Sequence, residues 1–114
     1  MTDNEFFSIL SDLKAYLASK KTFIENPFRV REFENAVHIA RKLFPDAKIE
    51  IKDDPLQMGA MIFAIEDYDL DVSGETEINL FAEMTAKADN FETYPTDNGS
   101  VRLAVLFQNV LVRV

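Results

Sequence analysis

The stretch "AKIEIKDDPLQMGAMIFAIE", residues 47–66, is where the apolar periodicity of the chain changes, and its reading decides the fold. Ile49 and Ile51 alternate with Lys48, Glu50 and Lys52, the period-two pattern of a strand with one face in the core. "DDP", residues 53–55, supplies a turn. "MGAMIFAIE", residues 58–66, is then an almost wholly apolar run whose β-branched and aromatic content predicts a central strand.

Upstream the period is helical. Thr2 and Glu5 have the spacing of a capping box, and Phe6, Ile9, Leu10, Leu13 and Leu17 recur at steps of three and four, predicting a helix over residues 3–20. Asn26 followed by Pro27 gives an N-cap and a proline at the first helical position, where its missing N–H costs nothing. Val30, Phe33, Val37, Ala40 and Phe44 form the apolar side of a second helix that ends at Pro45. Two helices followed by two strands, without strand–helix alternation, predict an α+β fold with an antiparallel sheet.

Downstream, "EDYDLDVSGETE", residues 66–77, holds six carboxylates, Glu66, Asp67, Asp69, Asp71, Glu75 and Glu77, and no base. The D-x-D-x-D order opens a calcium loop, but the sixth position, which needs Gly, is Val72, and the twelfth, which needs Glu, is Ile78. In an extended chain the three aspartates point one way while Tyr68, Leu70 and Val72 point to the core. Ser73 is the predicted N-cap of a third helix over residues 75–90, with Glu75 and Glu77 at the positive end of its dipole. Ile78, Phe81, Met84 and Ala88 form its apolar side, and Glu83 and Lys87 have the favourable i,i+4 order. "FETYP", "TDNGS" and "VRLAVLF" then predict a hairpin, with Asn98 and Gly99 taking positive φ. "VLVRV", residues 110–114, predicts a last strand reached through Gln108 and Asn109. Leu103, Leu106, Phe107, Val110 and Val114 also fit helical spacing behind Ser100, but the density of Val favours strands. The expected fold is one α+β domain over residues 1–114. It has two N-terminal helices, an antiparallel sheet of about four to six strands and a third helix between strands three and four, the helices mainly on one face.

Composition narrows the function. The chain has 114 residues, a net charge of −8 and no Cys, which excludes disulfides, thiolate zinc sites and cysteine nucleophiles. The acid is uneven: residues 1–52 hold nine Lys and Arg against eight Asp and Glu, residues 53–114 three against twelve. That asymmetry disfavours nucleic acid and favours a basic partner. The first residues lack a signal-peptide pattern and no apolar run approaches the roughly 20 residues of a membrane span, so a cytoplasmic protein is expected.

The chain carries no G-x-S-x-G elbow, phosphate loop or H-E-x-x-H, and its glycines are only Gly59, Gly74 and Gly99. His38 shares a helix face with Glu34, a spacing that can hold a metal, but the neighbouring Arg41 and Lys42 oppose a cation, and a surface histidine is the expected reading. Lys20, Lys21, Arg29, Arg31, Arg41 and Lys42 gather near the second helix, where Glu25, Glu32 and Glu34 interrupt a phosphate-binding pattern. The functional expectation is a non-enzymatic interaction module without cofactor. Glu66, Asp67, Asp69, Asp71, Glu75 and Glu77 would face a basic protein surface, in the manner of a bacterial or phage DNA mimic. The alternatives are a divalent-metal-binding domain or metal-dependent hydrolase using Asp67, Asp69 and Asp71, and a homo-oligomer joined through a sheet edge or "VLVRV".

Overall fold

The computed structural model describes residues 1–20, 22–68 and 70–113. Its elements run α1 (Asp3–Ser19), β1 (Phe23–Glu25), α2 (Pro27–Leu43), β2 (Lys48–Asp53), β3 (Met61–Asp67), α3 (Glu75–Thr85), β4 (Asn90–Pro95), β5 (Val101–Phe107) and β6 (Leu111–Arg113). The fold is α+β, as the sequence predicts. β2, β3, β5 and β4 form a four-stranded antiparallel sheet in that order, and β1 pairs with β6 in a separate two-stranded ribbon. Among the described residues no helix is long and apolar enough to cross a membrane.

The helices begin where the caps put them. Thr2 accepts a hydrogen bond from the Glu5 N–H at the head of α1, and Asn26 accepts one from the Arg29 N–H before Pro27. α1 buries Phe6, Leu13 and Leu17, and α2 buries Phe33, Ala36, Val37 and Ala40. Phe33 meets Phe63 and Phe107 edge-on at 5.6 and 5.4 Å between centroids, which fastens α2 to the two central strands. Ile49, Phe63, Ile65, Leu103, Val105 and Phe107 supply the sheet's inner face. On its outer face Lys48, Glu50, Lys52, Asn90 and Glu92 are exposed, so the sheet is covered on one side.

Two arginines of the expected basic cluster are structural. Arg29 donates to the carbonyls of Gln108 and Lys87 at 2.9 Å each, pairs with Asp89, and lies 5.1 Å over the Phe107 ring. Asp89 also accepts from the Gln108 N–H at 2.7 Å, so one carboxylate ties α2 to the loop after α3 and to the end of β5. Arg41 pairs with Asp3 and stacks 4.7 Å over Phe6, which joins α1 to α2. Lys21 lies outside the described residues.

The ribbon depends on one glycine. Gly59 has φ +84, and a Cβ there would stand 2.2 Å from the Leu111 carbonyl oxygen. The close approach lets the Gly59 carbonyl accept from both Val110 and Leu111 N–H at 3.0 Å. Asn109, at φ 58, turns the chain from β5 into β6.

Several expectations need correction. The acidic row does not form a strand: β3 stops at Asp67, Tyr68 is 73% exposed instead of facing the core, and only Leu70 and Val72 pack against it. The third helix still falls between the third and fourth strands, because β1, within "KKTFIE", adds a strand the sequence reading lacks where the acidic row adds none. The N-cap of α3 is Gly74, not Ser73, and Glu77 folds back to accept from the N–H groups of both. The helix ends at Thr85, five residues early, which leaves Ala88 and Lys87 outside it, and Ile78 is 51% exposed. Glu83 and Lys87 form no ion pair among the described residues. In the hairpin turn Gly99 alone takes positive φ, and Asn98 instead accepts from Ser100 through its side chain. The second predicted strand begins at Met61, since residues 55–59 turn.

Candidate functional site

The acidic residues singled out in the sequence are dispersed. Glu66 accepts from the buried Ser100 hydroxyl at 2.8 Å, Glu77 caps α3, and Asp67 accepts from the following N–H of Tyr68 at 2.7 Å. Asp71 and Glu75 are exposed at the entry to α3, and Asp69 lies outside the described residues. Among the described residues no group of three or more His, Cys, Asp or Glu is arranged to hold a metal ion. His38 is exposed and packs edge-on against Phe6 at 5.1 Å. It forms no hydrogen bond with Glu34 among the described residues.

A different feature runs the length of α1. β2 is an outer strand of the sheet, and beside it lies a cleft of about 470 Å³ walled by Ile9, Leu13 and Tyr16 of α1 and by Ile49 and Ile51 of β2. A second hollow, about 480 Å³, shares Ile9 and Ile49 and continues toward Met1. A third, about 160 Å³, shares Tyr16 and Asp53 and continues to Lys20, Met58 and Leu111. The shared walls make one groove between a helix and a free strand edge.

The backbone of β2 faces this groove with unspent hydrogen-bonding capacity. Its pairing with β3 runs from Lys48 opposite Glu66 to Asp53 opposite Met61, and the next rung is the bond from Asp54 N–H to the Ala60 carbonyl at 3.0 Å. Antiparallel ladders alternate bonded and non-bonded pairs. Lys48, Glu50 and Lys52 therefore spend their backbone groups on β3, while Ile49, Ile51 and Asp53 turn N–H and C=O to the open edge.

The side chains along this edge are held in order. Glu50 reaches Lys48 at 3.2 Å and Arg102 at 2.8 Å. Arg102 lies two strands away, on β5, and reaches across β3 to Glu50. The hydrogen bond from Lys48, with that from Arg102 next, holds the Glu50 carboxyl below its usual value against a smaller opposing effect of burial. At the far end Lys20 sits 4.7 Å over the Tyr16 ring. Burial pushes the Tyr16 phenol up; a hydrogen bond with Lys20 opposes this, and Asp53 adds to it.

The chain matches no protein-family model, and neither a curated protein nor a solved structure is significantly similar to it. Sequence reasoning found the strand but not the site. The sequence signal reaches only part of the way: β2 alternates isoleucine with charge, which marks one solvated face but not an open edge.

Proposed function

We propose that the protein is an interaction module that receives an extended polypeptide segment by strand addition at β2. The observation that supports this reading is the coincidence of an open strand edge with an apolar groove at the same place. Main-chain bonding to Ile49, Ile51 and Asp53 would supply affinity, and alternate side chains of the segment would enter between α1 and β2. Open strand edges are usually covered, and here the groove between β2 and the neighbouring helix leaves room for a guest.

The test uses Asp53→Pro, which removes one outward N–H, leaves the β3 ladder intact and changes an exposed side chain. A displayed library of random extended peptides is selected on the protein, and binders are mapped by amide shifts. Binders that perturb Ile49, Ile51 and Asp53 and are lost in the variant support the reading. Binders that ignore the substitution and map elsewhere refute it.

A further inference from the structure

The edge of β2 carries its charges in an order that selects its own occupant. From Lys48 to Asp54 the residues read Lys, Ile, Glu, Ile, Lys, Asp, Asp. Lys48, Glu50 and Lys52 are exposed on the sheet's outer face, and Asp54, next in the same phase, lines the hollow there with Ile62 and Leu106. Ile49, Ile51 and Asp53 share the other phase and own the free backbone groups. A second copy of the strand, approaching antiparallel, must pair these outward residues with each other, which restricts the registers to even offsets.

Two such two-fold registers overlap most of the strand. Centred on Glu50, every outer-face pair is like-charged: Glu50 against Glu50, Lys48 against Lys52. Centred on Ile51, every outer-face pair is opposite: Glu50 of one copy meets Lys52 of the other, Lys48 meets Asp54, and the two-fold repeats both. In that register Ile51 faces Ile51 over the groove, and Ile49 faces Asp53. Cross-strand pairs of opposite charge stabilise an antiparallel ladder and like pairs oppose it, so one register is favoured and its neighbour disfavoured by the same residues.

We infer that the occupant of the groove is a second copy of this chain, joined through β2 in the register centred on Ile51. The union makes one continuous eight-stranded antiparallel sheet and brings the two α1 helices together about the two-fold axis. Each of the three outward pairs exchanges two main-chain bonds, the interface is isologous, and the pairing closes both open edges of β2 at once. The inference rests on strand addition at β2 and adds the identity of the partner.

The charge order supplies its own test. Lys52 forms no ion pair within the chain among the described residues, so Lys52→Glu places like charges across the axis without breaking an internal contact. Glu50→Lys places like charges across the axis from the other side, with loss of the Glu50 contacts to Lys48 and Arg102. Light scattering on the wild type is expected to give twice the 13.0 kDa chain mass, each variant alone the single mass, and an equimolar mixture of the two a restored dimer, since both cross-axis pairs are then opposite. Circular dichroism verifies folding. Should Glu50→Lys fail to fold for want of its bond to Arg102, the pair Lys48→Glu and Asp54→Lys makes the same exchange at the other rung. A wild type of single mass overturns the inference, as does a dimer that survives in both variants or a mixture that stays monomeric. A monomeric wild type whose Ile49–Asp53 amides still respond to selected peptides would retain strand addition while removing the second copy.

Discussion

Replacing Gly59 with Ala tests how the ribbon is attached. At φ +84 an alanine pays roughly 1–2 kcal/mol for the left-handed backbone alone. Its Cβ would also stand 2.2 Å from the Leu111 carbonyl oxygen, where ordinary contact begins near 3.4 Å. The neighbour is backbone, so relief requires the β2–β3 turn and the start of β6 to separate by more than 1 Å. That movement stretches the two bonds by which the Gly59 carbonyl holds Val110 and Leu111, both now 3.0 Å, each worth about 0.5–1.5 kcal/mol. The expected loss is about 2–5 kcal/mol, a fall in Tm on the order of 10 °C for a domain of this size. Gly99→Ala is the internal control: its φ of +86 is equally strained, but nothing lies within 4 Å of the added carbon. Urea and thermal unfolding of both variants give the comparison, and hydrogen exchange at Phe23–Glu25 reports the ribbon directly. If Gly59→Ala costs no more than Gly99→Ala and leaves that exchange unchanged, the close approach does not hold the ribbon.

Two further outcomes are expected. Asp89→Ala removes the partner of Arg29 and of the Gln108 N–H together, and is expected to cost about 1–3 kcal/mol in urea unfolding, with Asp89→Asn recovering part of it. Glu50→Gln is expected to be less stable than wild type at neutral pH and to lose less on acidification. The folded carboxyl titrates below its usual value because Lys48 and then Arg102 hold it charged, so its contribution is complete above about pH 4.5 and disappears as pH falls through the lower folded value. The amplitude is small for so exposed a group, and Tm curves for the two proteins that stay parallel between neutral pH and pH 3 would refute the assignment.

The parts of the fold that could be read from the sequence are those where local chemistry and tertiary need agree. Thr2, Asn26 and Pro27 mark helix starts by bonds made within one turn, and the period change at residue 47 separates helices from strands because burial follows the same faces. β1 is not legible in the sequence, since three residues cannot display a period and Phe23–Glu25 pair with the distant Leu111–Arg113. The acidic segment misled through its alternation: a pattern of two is also what a loop shows when Leu70 and Val72 dip to the core and the residues between them do not. The early end of α3 reflects Arg29, which draws the Lys87 carbonyl and the Asp89 carboxylate to α2 and so fixes the chain in a non-helical path. The groove was out of reach for a different reason. Strand order in a sheet is a property of distant segments, and nothing within Lys48–Asp53 states that β3 lies on one side and open space on the other.

The ribbon that ties Phe23 to Arg113 also sets a schedule. β1 lies between the two helices, and α2, the four-stranded sheet and α3 all separate it in sequence from its partner β6. The pairing has about the highest sequence separation the fold contains, and such contacts are slow to form. During folding α1 and α2 can pack through Phe6, His38 and Arg41, but the segment between them stays untethered until β6 reaches it. The fold is thus completed by the closure of a ring through β1 and β6 rather than by growth along the chain.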